Sequence, residues 1–347
     1  MDEEELIPAE SDEQAADDLY EHHRIKTDRG QEPLRIDKFL INRIEGVSRS
    51  KLQAAADAGA ILVNGQAVKS SYKVKALDEI SIVLSTPARE YKLEPENIPL
   101  KVVFEDDQLV VIDKPAGLVV HPGSGNYSGT LVNALLYHFK ELGNPHDAIR
   151  PGLVHRIDKN TSGLILIAKN EYAMTFLAKQ FFHHTIERKY IALVWGDMKE
   201  AEGTIEGHIG RHQRFRKKMD FFAEGELGKE AITHYKVLER FGYVTLVECV
   251  LETGRTHQIR VHMQHIGHPL FNDDTYGGDR IVKGTVYSKY KQFVENCFQL
   301  LPRQALHAAV LGFIHPTSKQ HLHFESPLPT DMAQVIDKWR QYFKAKG

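Results

Sequence analysis

His155-Arg156-Ile157-Asp158-Lys159-Asn160-Thr161-Ser162-Gly163 runs directly into Leu164-Ile165-Leu166-Ile167. The second half is an apolar run of strand length, the pattern of a strand buried on both faces. The first half is polar and places two opposite charges, Arg156 and Asp158, just ahead of that strand, where a rigid core element can hold them. Alone, such a pair reads as a surface ion pair or a turn cap. Outward from it, strand-like runs recur at 101–104, 109–113, 163–168, 190–195, 231–239, 244–251, 305–313 and 321–324. Helices are expected at about 130–141, 173–182, 256–265 and 332–344. Few strands are separated by a full helix, so the expectation is an α+β fold around a mixed, largely antiparallel central sheet, not a doubly wound parallel one.

A chain of 347 residues, 42% hydrophobic and 26% charged, falls in the range of globular proteins and outside that of disordered, collagen-like or rod-like chains. It is more than twice the ~150 residues of a typical domain, so two folded units are expected. No stretch approaches the ~18–20 consecutive apolar residues of a spanning helix, and Met1-Asp2-Glu3-Glu4-Glu5 is acidic where a secretory leader is basic and then apolar. A cytoplasmic protein without a membrane segment is expected. The net charge of −3 hides an asymmetry: the first 21 positions hold ten acidic residues and no Lys or Arg, leaving 44 basic against 37 acidic residues, or +7, for the remainder. Residues 1–21 therefore read as a disordered acidic tail.

Residues 22–89 read as a small helix-turn-helix plus sheet module. Ile36, Phe39 and Leu40 form a helical stripe that Gly46 interrupts; Ser48 then stands as an N-cap before good helix formers up to Gly59. Ile61-Leu62-Val63 leads into Asn64-Gly65, a tight-hairpin signal. Within 35–84, eight basic residues face five acidic ones. Arg35-Ile36-Asp37-Lys38-Phe39-Leu40, Ser48-Arg49-Ser50 and Val63-Asn64-Gly65 resemble the alpha-L RNA-binding module shared by a small-subunit ribosomal protein and tyrosyl-tRNA synthetases. That resemblance implies RNA contacts from Arg35, Lys38, Arg49, Lys51 and Lys69. Residues 85–99, with Pro87, Pro95 and Pro99, read as a linker, and 90–347 as the second domain.

Other chemistries fit poorly. The glycine-rich stretch 117–129 lacks the Gly-Lys-Ser/Thr ending of a phosphate loop. His262, His265 and His268 recur every three residues, but no Cys ligand or His-Glu-x-x-His frame accompanies them, so no metal is expected. Gly123-Ser124-Gly125 lacks the frame of a serine nucleophile elbow. Cys249 and Cys297 read as buried thiols.

The loop and its surroundings resemble the RluA/RluD family of RNA pseudouridine synthases. His155-Arg156-Ile157-Asp158 is similar to the family's catalytic motif, with Ile157 where leucine is usual and Asn160 where aspartate is frequent. Asp113-Lys114-Pro115-Ala116-Gly117-Leu118 with His121-Pro122-Gly123 resembles its first motif, and 189–196 its tyrosine motif. Gly254-Arg255-Thr256-His257-Gln258-Ile259-Arg260 resembles its arginine motif, and Pro302-Arg303-Gln304-Ala305-Leu306-His307-Ala308 also fits. The resemblance runs from about residue 35 to 345. It implies isomerisation of specific uridines in RNA, in large-subunit ribosomal RNA by the module-plus-domain layout, without cofactor or metal; a monomer is expected, though nothing in the residues fixes the oligomeric state.

Breaking a glycosidic bond builds positive charge on the sugar, so a carboxylate beside it, as nucleophile or base, is the natural catalytic group. By the resemblance this is Asp158. An enclosed carboxylate needs a cation to stay ionised, a role the resemblance gives to Arg260 on the helix expected from Thr256. Arg255, about 140° around that helix by its ~3.6-residue period, is the less favoured partner. Tyr190 would cover the detached uracil, and Arg156 would fill the space of the flipped nucleotide or hold its phosphate. Two other readings remain: a non-catalytic RNA-binding or ribosome-assembly protein retaining the fold, and a glycoside hydrolase, which usually needs two carboxylates.

Overall fold

In the computed structural model the described residues are 20–44, 47–84, 93–121, 128–139, 142, 151–212, 218–223, 227–285 and 287–345. The chain divides into two compact units, 1–92 and 93–347. Several expectations fall outside the described residues: the tail over 1–19, the helix interruption at Gly46, the linker over 85–92, the glycine-rich segment over 122–127 and the helix end at 140–141.

The first unit holds strands β1 (Tyr20–Lys26) and β2 (Leu34–Arg35) and helices α1 (Ile36–Ile41) and α2 (Arg49–Asp57). Strands β3 (Ile61–Val63), β4 (Gln66–Ala67), β5 (Lys73–Val74) and β6 (Glu79–Leu84) follow. Ser48 caps α2, its side chain accepting from the Lys51 amide. The helices bury Ile36, Phe39, Leu40 and Leu52 against Ile61, Val63, Ile80 and Ile82 of a sheet ordered β1-β6-β3-β4. Asn64 and Gly65 both take the left-handed conformation that the tight β3–β4 turn demands. The expected tail needs one correction. Tyr20 and Glu21 pair with Leu84 and Val83 in β1, because main-chain pairing to an open strand edge is indifferent to the acidic side chains around it.

In the second unit the chain forms β7 (Val102–Glu105), β8 (Leu109–Lys114), α3 (Leu131–His138), β9 (Ser162–Ala168), α4 (Glu171–Phe182) and β10 (Glu187–Trp195). It continues through β11 (Glu202–Arg211), β12 (Met219–Phe222), β13 (Lys229–Arg240), β14 (Val244–Leu251) and α5 (Gln258–His265). It closes with α6 (Ser288–Leu300), β15 (Leu306–Ile314), β16 (His321–Glu325) and α7 (Thr330–Lys344). One sheet takes the order β12-β11-β13-β14-β10-β15-β9-β8-β7, with β16 beside β15. Among its named pairings only β9–β15 is parallel, so the sheet is mixed and largely antiparallel. Strand β9, the run that follows the Asp158 loop, is buried along its whole length, as two covered faces require. Among the described residues no helix is long and apolar enough to cross a membrane.

Two differences from the sequence reading matter. Helix α5 starts at Gln258, two residues later than expected, because His257 takes a left-handed conformation (φ 56°) that a helix cannot continue. Helix α6 and strands β11 and β12 are elements that reading does not place. The α6 stripe was present in Tyr290, Phe293, Val294 and Cys297, which pack with Trp339 of α7.

A single register row joins the segments quoted above. Cys249 of β14 pairs with Tyr190 of β10, Tyr190 with Ala308 of β15, Ala308 with Gly163 of β9, and Gly163 with Lys114 of β8. Gly163 is required there: at φ 110° a Cβ would lie 2.1 Å from the Ala308 carbonyl oxygen.

Candidate active site

The loop before β9 is held from several sides. His155 accepts the Leu166 amide on Nε2 at 2.9 Å and stacks on Phe181 of α4 at 4.7 Å. Burial pushes its pKa down to about 3, so it is a neutral structural ring. Ile157 is buried in the same cluster as Tyr190. The fully buried Lys114 ammonium donates to the carbonyls of Pro115, Leu118 and Lys159 at 2.8, 2.9 and 3.0 Å. Burial pulls its pKa down to about 7 against the charge of Asp158. Arg303 donates to the Asn160 carbonyl at 3.0 Å, and its Nε and Nη2 clasp Asp331 at 2.7 and 2.9 Å. Thr161 N–H closes the turn onto the Asp158 carbonyl at 3.1 Å.

That scaffold presents Asp158 half-buried, its side chain 19% exposed, with Arg260 Nη1 donating to Oδ2 at 3.1 Å. Arg260 is buried and also holds Asp273 with two parallel bonds, Nε to Oδ2 at 2.7 Å and Nη2 to Oδ1 at 2.9 Å. Asp273 is fully buried and accepts the amides of Thr275 and Tyr276 as well. A guanidinium gripped in this bidentate way has little freedom left, so its remaining N–H is aimed. Tyr276 lies against the same guanidinium, 5.0 Å from its ring centroid. Arg255, the less favoured candidate, instead donates to the Glu230 carbonyl.

Burial by itself would raise the Asp158 pKa; the charges of His257, Arg260 and, least, Arg156 outweigh it, so the carboxyl lies below its ordinary value. His257 Nε2 is 3.9 Å from Asp158 Oδ1. Burial lowers the pKa of that imidazole despite Asp158, so the ring carries charge only below its ordinary range, and at neutral pH the standing cation beside Asp158 is Arg260. Tyr190 is buried, and its phenol pKa is raised by that burial. Arg156 is exposed on the loop, within electrostatic reach of the carboxylate. The loop, Tyr190 and α5 thus meet around Asp158. Asp273, His257 and Tyr276 were not assigned from sequence. His257 stood inside a quoted motif, whereas Asp273 and Tyr276 carried no signal.

The histidines weighed as ligands face separate neighbours. His262 meets the Thr233 hydroxyl, His265 stacks on Phe221, and His268 Nδ1 pairs with the Trp195 carbonyl.

Of the basic residues in the first unit, Arg35 and Arg49 are brought together on the fully buried Asp37. Arg35 binds it through Nε and Nη2 at 3.1 and 3.0 Å and Arg49 through Nε at 3.0 Å, with Gln53 adding a fourth side-chain bond. These bonds, that of Arg35 foremost, hold Asp37 well below the usual carboxylate range. Lys38, Arg49 and Lys69 are exposed, and Arg35 and Lys51 half-buried.

The chain is similar to known proteins over most of its length. The family profile described as RNA pseudouridylate synthase matches residues 108–265, and the S4 domain profile matches 34–80. An uncharacterized RNA pseudouridine synthase of Chlorobaculum parvum is 49% identical over 91% of this chain and 97% of its own. The ribosomal large subunit pseudouridine synthase D of Nitrosomonas europaea is 44% identical over 88% and 85%. The structure of human RNA pseudouridylate synthase domain containing 1 superposes with a TM-score of 0.51 at 25% identity, over 72% of this chain and 96% of that one. The chain belongs to the family of RNA pseudouridine synthases, with an S4 domain ahead of its synthase domain.

Proposed function

We propose that this enzyme converts specific uridines of large-subunit ribosomal RNA to pseudouridine, with Asp158 acting at the ribose of the target. The observation that carries this reading is an ionised, partly open carboxylate whose cation, Arg260, is locked by Asp273. The substrate assignment is supported by relatives such as the Nitrosomonas europaea protein, named for the large ribosomal subunit.

In the reaction the bond from C1′ to uracil N1 breaks, the base turns, C1′ joins C5, and C5 loses its proton while N1 takes one up. Asp158, as nucleophile or base toward the sugar, meets the positive charge that develops there. A water-poor site keeps the free base from leaving, and buried Tyr190 supplies an apolar wall beside it. Arg156, exposed beside the carboxylate, holds the flipped nucleotide or its vacated place. The basic surface around Arg49, Lys51 and Lys69 gives the phosphate contacts that draw folded RNA to the enzyme.

The test is Asp158→Asn, which keeps shape and removes the charge. Isomerisation of ribosomal RNA fragments should vanish while RNA affinity stays within a few-fold. Turnover near the wild-type rate would end this assignment. The uridines concerned are named by mapping pseudouridine in total RNA from cells with and without the gene.

A further inference from the structure

The geometry points to His257 as a neutral hydrogen-bond donor to the uracil: its Nε2–H binds a carbonyl oxygen of the base as the glycosidic bond breaks. This rests on the reading of Asp158 as the group acting at the ribose.

The imidazole is fixed at its other nitrogen. Nδ1 lies 2.8 Å from the Tyr276 hydroxyl, whose oxygen already accepts the Met219 amide at 3.0 Å. In the tautomer proposed, this hydroxyl donates its proton to Nδ1, which puts the ring hydrogen on Nε2. Nε2 is 3.9 Å from Asp158 Oδ1, beyond hydrogen-bond range but within the span of one bound nucleotide. The two side chains are 20% and 19% exposed, so both open to a substrate. His257 is also held at φ 56°, uncommon for a non-glycine residue and a conformation that clusters at functional sites. The Arg260 guanidinium is occupied on both edges, by Asp158 and by Asp273.

When the C1′–N1 bond breaks, its electron pair moves onto the uracil and spreads to O2 and O4. A donor placed for that anion, next to the carboxylate at the sugar, stabilises the separation of charge. No proton changes hands: burial keeps the imidazole neutral, so it acts as a fixed dipole.

The test compares single-turnover rates on RNA carrying uridine or 5-fluorouridine at the target. Loss of the N-glycoside is read by nuclease digestion and chromatography, because C5 of the fluorinated base has no proton to lose after joining C1′ and its product is not pseudouridine. His257→Phe should slow the uridine reaction by about 10²–10³-fold, the usual effect of deleting one such donor, with RNA affinity within a few-fold. On 5-fluorouridine the loss should shrink several-fold, because fluorine makes uracil a better leaving group. His257→Gln, which restores an N–H, should recover part of the rate. Tyr276→Phe, which frees Nδ1, should show a smaller loss, again reduced by fluorine. Should His257→Phe not fold, the other two variants carry the comparison. Equal losses on both RNAs would overturn the proposal. Asp158→Asn measured beside them separates the two readings: activity in that variant refutes the role of Asp158, whereas an inactive one with fluorine-independent His257 variants refutes only this inference.

Discussion

Each unit of the chain holds a carboxylate ionised by arginine, and the two are finished differently. Asp37 is fully buried and accepts from Arg35, Arg49, Gln53 and the Lys38 amide. Asp158 is partly open and takes Arg260 on one oxygen, with His257 standing off at 3.9 Å. A saturated carboxylate organises its neighbours; one held ionised with room beside it can meet a ligand. In the second unit the saturated partner is Asp273, which fixes the arginine and leaves Asp158 free for chemistry.

The largest effect should come from exchanging the two carboxylates for amides. Asp158→Asn is expected to remove roughly 10⁴-fold or more of the single-turnover rate, with little change in melting. Asp37→Asn should do the reverse, lowering the melting of the first unit by about 4–8 °C with no loss of rate at saturating RNA. Similar losses of rate in both variants would erase the contrast.

Arg260→Met sharpens it further. Removing the arginine strands Asp273 without its cation, at a cost of about 3–5 kcal/mol for breaking a buried pair. The Asp158 pKa, now below its ordinary value, should rise. Since the working form is the carboxylate, activity then falls at neutral pH and partly returns as pH increases, while the wild type loses activity only when pH drops through its lowered pKa. Arg260→Met/Asp273→Leu, freed of the stranded carboxylate, should regain stability and keep the altered pH profile. A profile identical to wild type would show that Arg260 does not set the charge of Asp158.

Arg156 belongs to the open side of the comparison. Arg156→Ala should slow reaction of a uridine held in a helix far more than one already unpaired, since only the former requires the few kcal/mol of unstacking. Rates on paired and unpaired versions of one target decide it; equal losses on both would remove Arg156 from flipping.

The smallest effect concerns the exposed cations of the first unit. Lys69→Ala should weaken RNA binding modestly and uniformly, lowering the slope of log affinity against log salt by about 1, the mark of one lost phosphate contact. An unchanged slope would place Lys69 outside the RNA interface.

Local pattern carried much of the fold. Continuous apolar runs such as 109–112 and 164–167 read as buried strands, Ser48 could cap α2, and Asn64-Gly65 could turn a hairpin, because each depends on neighbours a few residues away. Strand β11 was not legible. It runs Glu202-Gly203-Thr204-Ile205-Glu206-Gly207 with few apolar residues, and its strand character comes from pairing with β13.

By itself the sequence determined the element pattern, the family motifs and the residue types available for chemistry, all of which reside in contiguous stretches. Only the tertiary structure decided that Lys114, Gly163, Ala308, Tyr190 and Cys249 share one row of the sheet. It alone brought Asp158 to an arginine 102 positions away and set Asp273 and Tyr276 behind that arginine. Strand register and helix packing are settled by burial across the whole sheet, where a slip of one residue would turn every side chain to the opposite face. No local propensity encodes that choice, so the open carboxylate and its locked cation exist only once the sheet has closed around them.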